Sequence, residues 1–150
     1  MERLDLECAK AAAEITKGLR NTTKADLTGF AQSASTVLMA NGPYALFLYM
    51  AAYKKSLAEE TENRMFDLLK RLLFNNESIP APGEPPAGRV REDPNRRREW
   101  EKAERARIRQ DMIRNHVATD LTKLLIARDV LQQVLVYLKY HAALLPKEAA

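Results

Sequence analysis

Few residues of this 150-residue chain have the chemistry of a catalytic site. It has two histidines and one cysteine. His116 and Asp120 stand four residues apart, a spacing that brings both side chains to one face of a helix, but two ligands do not define a metal site. A solvated or capping pair is the more common role for this spacing. His141 lies beside two tyrosines, a pattern that favours an aromatic cluster at an interface over a general base.

Cys8 is the remaining reactive group, and its position predicts an inert thiol. It falls on the apolar stripe of the first helix, where cysteine packs as a small hydrophobic residue. A single cysteine also excludes an internal disulfide and a cysteine-rich zinc site. We therefore predict a protein that is not an enzyme, with no catalytic residues, no metal site and no cofactor. A small ribonuclease that uses His116 or His141 stays open as an alternative.

Basic side chains are the chemical groups in good supply. The net charge is +4, and the stretch 89–116, with ten basic and six acidic residues, accounts for the excess. Such groups attract phosphates without reading a base sequence. Ion pairing along an exposed helix would explain the same charges, and that interpretation stays open. The charge argument selects these candidate RNA-binding residues: Lys17, Arg20, Lys55, Arg105 and Arg109.

The elements that must position these groups are helices. Only 5 of the 150 residues are glycine and no segment keeps the alternation of a strand, so we predict an all-α bundle of about five to six helices. Apolar residues recur at three- and four-residue steps in each predicted helix. The predicted helices are a first that ends between Gly18 and Arg20, then 23–41, 43–55, 60–75, 94–116 and 120–145.

Two breaks in the helical pattern organise the chain. Asn41 and Gly42 followed by Pro43 are a helix stop and a new start, so the second and third helices meet at a tight turn. The segment 75–93 contains four prolines and two glycines with almost no large apolar residue, which is typical of a mobile linker. Since neither flank alone would make a comfortable domain, we interpret residues 1–150 as a single all-α domain.

The third helix is apolar on nearly every face. This pattern indicates burial at the centre of the fold or cover by another subunit, with Tyr44 and Phe47 as candidate interface residues. The longest apolar run has ten residues, and a membrane-spanning helix needs about 20. The N-terminus carries acids where a secretory signal carries bases. We therefore expect a cytoplasmic protein with no membrane partner.

The stretch 27–49 combines several features of a known pattern. Lys24 precedes it, an apolar run ends at Asn41-Gly42, and a helix rich in Leu and Phe ends near Lys54. This arrangement resembles the small helical subunit of type III-B CRISPR effectors, the Cmr complexes. Residues 136–142 are similar to the family's Trp-Leu-Lys-Arg-Phe-Ala segment, and Lys139 is in register with the lysine of that segment.

The resemblance implies an all-α subunit of an antiviral effector that is not itself a nuclease. Such subunits stack along the filament beside guide RNA and target RNA, while other subunits cleave. At the matching positions it implies Lys24, Lys54 and Lys139 as RNA-facing residues. The implied partners are the other effector subunits, guide and target RNA, and further copies of the chain. A helical adaptor that binds protein without contacting RNA is the other interpretation of the apolar third helix.

Overall fold

The computed structural model describes residues 2–19, 22–53, 55–74, 83, 88 and 92–145. Within these ranges the chain is an all-α bundle, which confirms the predicted fold class. None of its helices there combines the length and apolar character needed to cross a membrane. The linker predicted at 75–93 lies almost wholly outside the described residues. The helices are α1 (Glu2–Gly18), α2 (Lys24–Ala52), α3 (Ser56–Leu73), α4 (Pro94–His116) and α5 (Leu121–Ala143).

Side chains that accept backbone hydrogen bonds fix three of the helix starts. Thr23 accepts from the Asp26 amide at 3.0 Å, and Asp93 and Asp120 cap α4 and α5 in the same way. Thr and Asp are favourable at these positions because their side-chain oxygens satisfy amides that have no partner within the helix. Helix α3 begins at Ser56, four residues before the predicted start, because Leu57 and Ala58 are buried against the core.

Helix α2 reverses direction at Gly42, where φ is 90°. We call the two parts arm α2a (24–41) and arm α2b (43–52). The ring centre of Phe30 lies 5.3 Å from that of Tyr53 and 6.2 Å from that of Tyr49. A straight helix would separate residues 30 and 53 by about 35 Å. The predicted tight turn is therefore confirmed.

The turn gives a test of stability. We expect Gly42→Ala to lower the free energy of unfolding by about 1–2 kcal/mol, because only glycine adopts a positive φ at little cost. Gly29 is the matched control, since it lies inside α2a and a Cβ added there would meet no heavy atom within 4 Å. Gly29→Ala should raise the free energy of unfolding by about 0.5–1 kcal/mol. Urea unfolding measures both free energies. If the two substitutions changed the free energy of unfolding in the same direction, the turn at Gly42 would be contradicted.

One apolar core receives side chains from all five helices. Phe47 is fully buried in it, with its ring edge-on to Phe66 at 6.2 Å. The expectation that Phe47 lies at an interface is therefore wrong, because an apolar helix pattern does not distinguish a core face from a partner-covered face. Tyr44 is partly buried and packs against the same core. The residues that α4 buries in the core are Ile108, Met112 and Ile113.

Candidate nucleic-acid interface

The start of α2a and the end of α5 meet at one end of the bundle. The Lys24 ammonium donates a hydrogen bond to the Ala143 carbonyl oxygen at 3.3 Å, although 119 residues separate the two in sequence. Lys139 precedes Ala143 by one helical turn on the same face of α5. Among the described residues it has no hydrogen-bond or ion-pair partner. Two lysines selected by the resemblance are thus neighbours in space.

Further helix ends lie at the same place. Lys55, between α2b and α3, forms an ion pair with Asp26 in the first turn of α2a at 3.6 Å. Gly18, the last residue of α1, is so close to α3 that a Cβ there would lie 3.0 Å from Glu60 Oε1. Lys17 precedes Gly18 and therefore lies near the start of α3, which Lys55 also flanks. We call the surface formed by Lys17, Lys24, Lys55 and Lys139 the lysine end.

Most of the positive charge at the lysine end has no acidic partner among the described residues. Asp26 pairs with Lys55, whereas Glu60 bonds Arg64 at 3.1 Å. Within the described ranges neither Lys17 nor Lys139 has an acidic partner, and the bond of Lys24 goes to a neutral carbonyl. Three ammonium groups are therefore available for an anion without breaking an ion pair. The remaining lysine and arginine of this candidate set, Lys54 and Arg20, lie outside the described residues.

The RNA contact predicted for Arg109 stays a prediction, and the guanidinium already has partners within the protein. Its guanidinium donates to the Asn63 side chain, lies 3.7 Å from the Glu62 carboxylate and sits 5.4 Å from the Phe66 ring centre. The side chain is 19% exposed. The Nη1 group is directed at residues of α3, so Arg109 ties α4 to α3.

Arg105 is one turn away on the same helix but differs from Arg109. It is exposed and has no partner in the described part of the chain. It lines an open groove of about 980 Å³ between α3 and α4. Five basic and five acidic side chains line that groove, so it offers no net attraction for phosphate. Arg105 remains a candidate RNA contact, and Lys55 of the lysine end lines the same groove.

Ion pairs occupy much of the charge on the rest of α4. Arg97 bonds Glu101 at 3.3 Å, and Arg107 bonds Glu104 at 3.0 Å. Asp111 accepts from Arg107 as well, also at 3.0 Å. For these residues an exposed, salt-bridged helix is therefore the correct interpretation. In the described part of this basic stretch, most cations are therefore already paired with acids.

The groups that sequence reasoning considered for catalysis are held apart. The ring of His116 packs on Phe74 at the end of α4, with 5.5 Å between ring centres, and His141 is near the end of α5. Helix α5 lies between them in sequence and is about 35 Å long. No group of three or more His, Cys, Asp or Glu side chains able to hold a metal ion occurs among the residues that the structure describes.

Cys8 is fully buried, and its Sγ donates to the Val130 carbonyl oxygen at 3.6 Å. Burial, reinforced by the charges of Asp5 and Glu7, raises the pKa of the thiol to about 11. The predicted packed position of the thiol is confirmed, and because the thiolate is the nucleophilic form we expect a poor nucleophile. We expect a thiol reagent to label the native protein at pH 8 at least about a hundredfold more slowly than the urea-unfolded protein. Equal labelling rates would contradict the burial.

The lysine end depends on tertiary packing, which spacing along the sequence does not reveal. Lys24 and Lys139 become neighbours only because α2a runs antiparallel to α5, a relation also marked by the bond from Ser35 to Gln132 at 3.0 Å. The sequence indicated only which lysines could bind RNA, and it did not indicate that they lie close together. No protein-family model, curated protein or solved structure matches the chain.

Proposed function

We propose that this protein is a non-catalytic, RNA-binding small subunit of a cytoplasmic type III-B CRISPR (Cmr) antiviral effector. The observation that carries the proposal is the convergence of Lys24 and Lys139 at the lysine end. These two residues match the lysines of the resembling family, and Lys24 bonds the carbonyl of Ala143, which follows Lys139 by one helical turn. Guide or target RNA would lie across this end, and other subunits would cleave.

Phosphate neutralisation is the mechanism that this arrangement supports. Lys17 and Lys139 have no protein partner in the described ranges, and Lys24 gives up only one exposed hydrogen bond to a carbonyl. Lysine is a flexible point charge, so it follows a phosphate backbone without selecting bases. Each contact releases counterions, which makes the affinity dependent on salt. A single copy offers few contacts, and neighbouring copies in an assembly would raise the effective concentration.

A second candidate, the adaptor that binds protein without RNA, is favoured by exposed apolar side chains at the opposite end of α5. Leu121 is 71% exposed and Leu125 is 51% exposed. Met39, at 49%, is close to them because Arg128 donates to its carbonyl oxygen at 2.9 Å. Exposed apolar groups of this kind mark contact sites for protein partners. In the proposed subunit the same surface would contact other effector subunits.

The wild-type chain tests the proposal directly when it is titrated with two single-stranded RNAs of unrelated sequence and equal length. We expect equal affinities for the two and a linear fall of log K with log salt concentration. Binding that ignores salt, or no binding at low salt, would reject RNA contact and favour the adaptor.

Incubation with divalent metal should leave both RNAs intact. The control for cleavage is the double variant His116→Ala, His141→Ala. Cleavage by the wild type that this variant abolishes would establish the ribonuclease alternative. The wide separation of the two histidines and the buried thiol of Cys8 support the expectation of no cleavage.

A further inference from the structure

We propose that Tyr140 is a stacking platform for one unpaired nucleobase at the lysine end. This inference rests on the proposed RNA-binding function and extends it, because phosphate contacts alone do not require an aromatic residue. Tyr140 is 65% exposed at the end of α5. It is the most exposed aromatic side chain in the described part of the chain.

The ring of Tyr140 has a firm support. Its centre lies 6.4 Å from that of Tyr137 with an angle of 68° between the ring planes, an edge-on contact. Tyr137 is itself fixed, because its hydroxyl donates to the Asp5 carboxylate at 2.8 Å. That hydrogen bond also raises the pKa of Tyr137, so the hydroxyl stays protonated as the donor. Because Tyr140 is 65% exposed beside this neighbour, ring surface is available to a flat partner.

Cations border this ring on one side. Lys139 and Ala143 share the adjacent face of α5, and Lys24 reaches the Ala143 carbonyl. A nucleotide whose base stacks on Tyr140 would therefore have its phosphate within reach of Lys24 or Lys139. Among the described acidic residues, Asp5 is held near this ring by its hydrogen bond from the Tyr137 hydroxyl.

A nucleobase fits this site better than an apolar protein segment. Leu144 follows Tyr140 by one turn and is 82% exposed, which extends the apolar strip beside the lysines. An apolar partner would fill the strip but leave the ammonium groups of Lys24 and Lys139 without compensation. A nucleotide contacts both the aromatic ring and the ammonium groups, since its base covers the ring and its phosphate pairs with a lysine. This combination of aromatic surface and basic groove is the general mode for single-stranded nucleic acid.

The test compares a ligand that has bases with one that has only charge. Oligouridine of about 20 nucleotides and inorganic polyphosphate of similar charge are titrated at low salt against the intact wild-type protein and its variants. We expect Tyr140→Ala to weaken oligouridine binding about tenfold, because a stacked base is lost, and to leave polyphosphate binding unchanged. Tyr140→Phe keeps the ring and should bind oligouridine as the wild type does. Leu125→Ala, an exposed apolar residue near the other end of α5, is the matched control and should change neither.

The outcomes separate failure of the stacking site from failure of the proposed RNA function. Tyr140→Ala that binds oligouridine like the wild type would overturn the stacking site, and salt-dependent binding by the wild type would leave the proposed RNA function standing. Equal weakening for polyphosphate and oligouridine would also overturn it, because the effect would then not involve a base. A wild type that binds neither ligand would reject both proposals. Circular dichroism of each variant confirms that the exposed substitutions leave the helices folded.

Discussion

Arg109→Ala should lower the free energy of unfolding by about 3 kcal/mol, which corresponds to a fall in Tm of roughly 10 °C for a chain of this size. The loss of stability comes from Glu62, the buried acid that remains after Arg109 is removed. Glu62 is only 7% exposed, and its carboxylate would lose the guanidinium that compensates its charge. The variant also loses the contact between the guanidinium and the Phe66 ring. Thermal unfolding followed by circular dichroism measures the change.

Arg105→Ala is the matched control. Arg105 is exposed, has no partner among the described residues and lies one turn from Arg109 on the same helix. Its removal should change the free energy of unfolding by no more than about 0.5 kcal/mol. Equal losses for the two variants would contradict the structural role assigned to Arg109.

The pH dependence of the Arg109→Ala variant provides a second check. Burial already raises the pKa of Glu62, and Arg109 partly offsets that rise. Without Arg109 the pKa of Glu62 rises further above its unfolded value. A raised folded pKa favours the protonated carboxyl, so stability is lost as pH rises through that pKa and regained as pH falls below it. The deficit relative to wild type should therefore be larger at pH 8 than at pH 5, and a deficit that does not change with pH would contradict this account.

The combined variant Lys17→Ala, Lys24→Ala, Lys139→Ala should weaken RNA binding about a hundredfold at 0.1 M salt. For single strands each phosphate contact contributes about 0.7 to the slope of log K against log salt, so three lost contacts reduce the slope by about 2 and the affinity by about two powers of ten at that salt. The loss should be the same for unrelated RNAs, because phosphates carry no sequence information. Filter binding or fluorescence anisotropy measures it.

Local signals in the sequence were sufficient for the presence of the helices and for most of their ends. Thr23, Asp93 and Asp120 cap helices by hydrogen bonds within three residues, and Gly42 sets the turn through its own φ. Such features need no knowledge of distant residues. The start of α3 was missed because it depends on Leu57, whose burial is decided by the rest of the bundle.

The candidate site was less predictable because it depends on packing. Spacing places Arg105 and Arg109 on one helix face, but only the position of α3 shows that Glu62 and Asn63 engage the second of them. The prediction for Phe47 was wrong for a similar reason, since a helix has the same apolar pattern whether it is buried in the core or covered by a partner subunit. The approach of Lys24 to the end of α5 could not be read from residues 119 positions apart.

The salt dependence of two variants with equal charge tests the central claim most directly. The first removes Lys17, Lys24 and Lys139, and the control removes three lysines placed away from the lysine end, Lys10, Lys70 and Lys123. Both lower the net charge by the same amount, so any general electrostatic effect is common to them. We predict a salt slope reduced by about 2 for the first variant and nearly unchanged for the control, in the isolated chain and in the reconstituted assembly. Equal slopes for the two variants would show that RNA is not held at the lysine end.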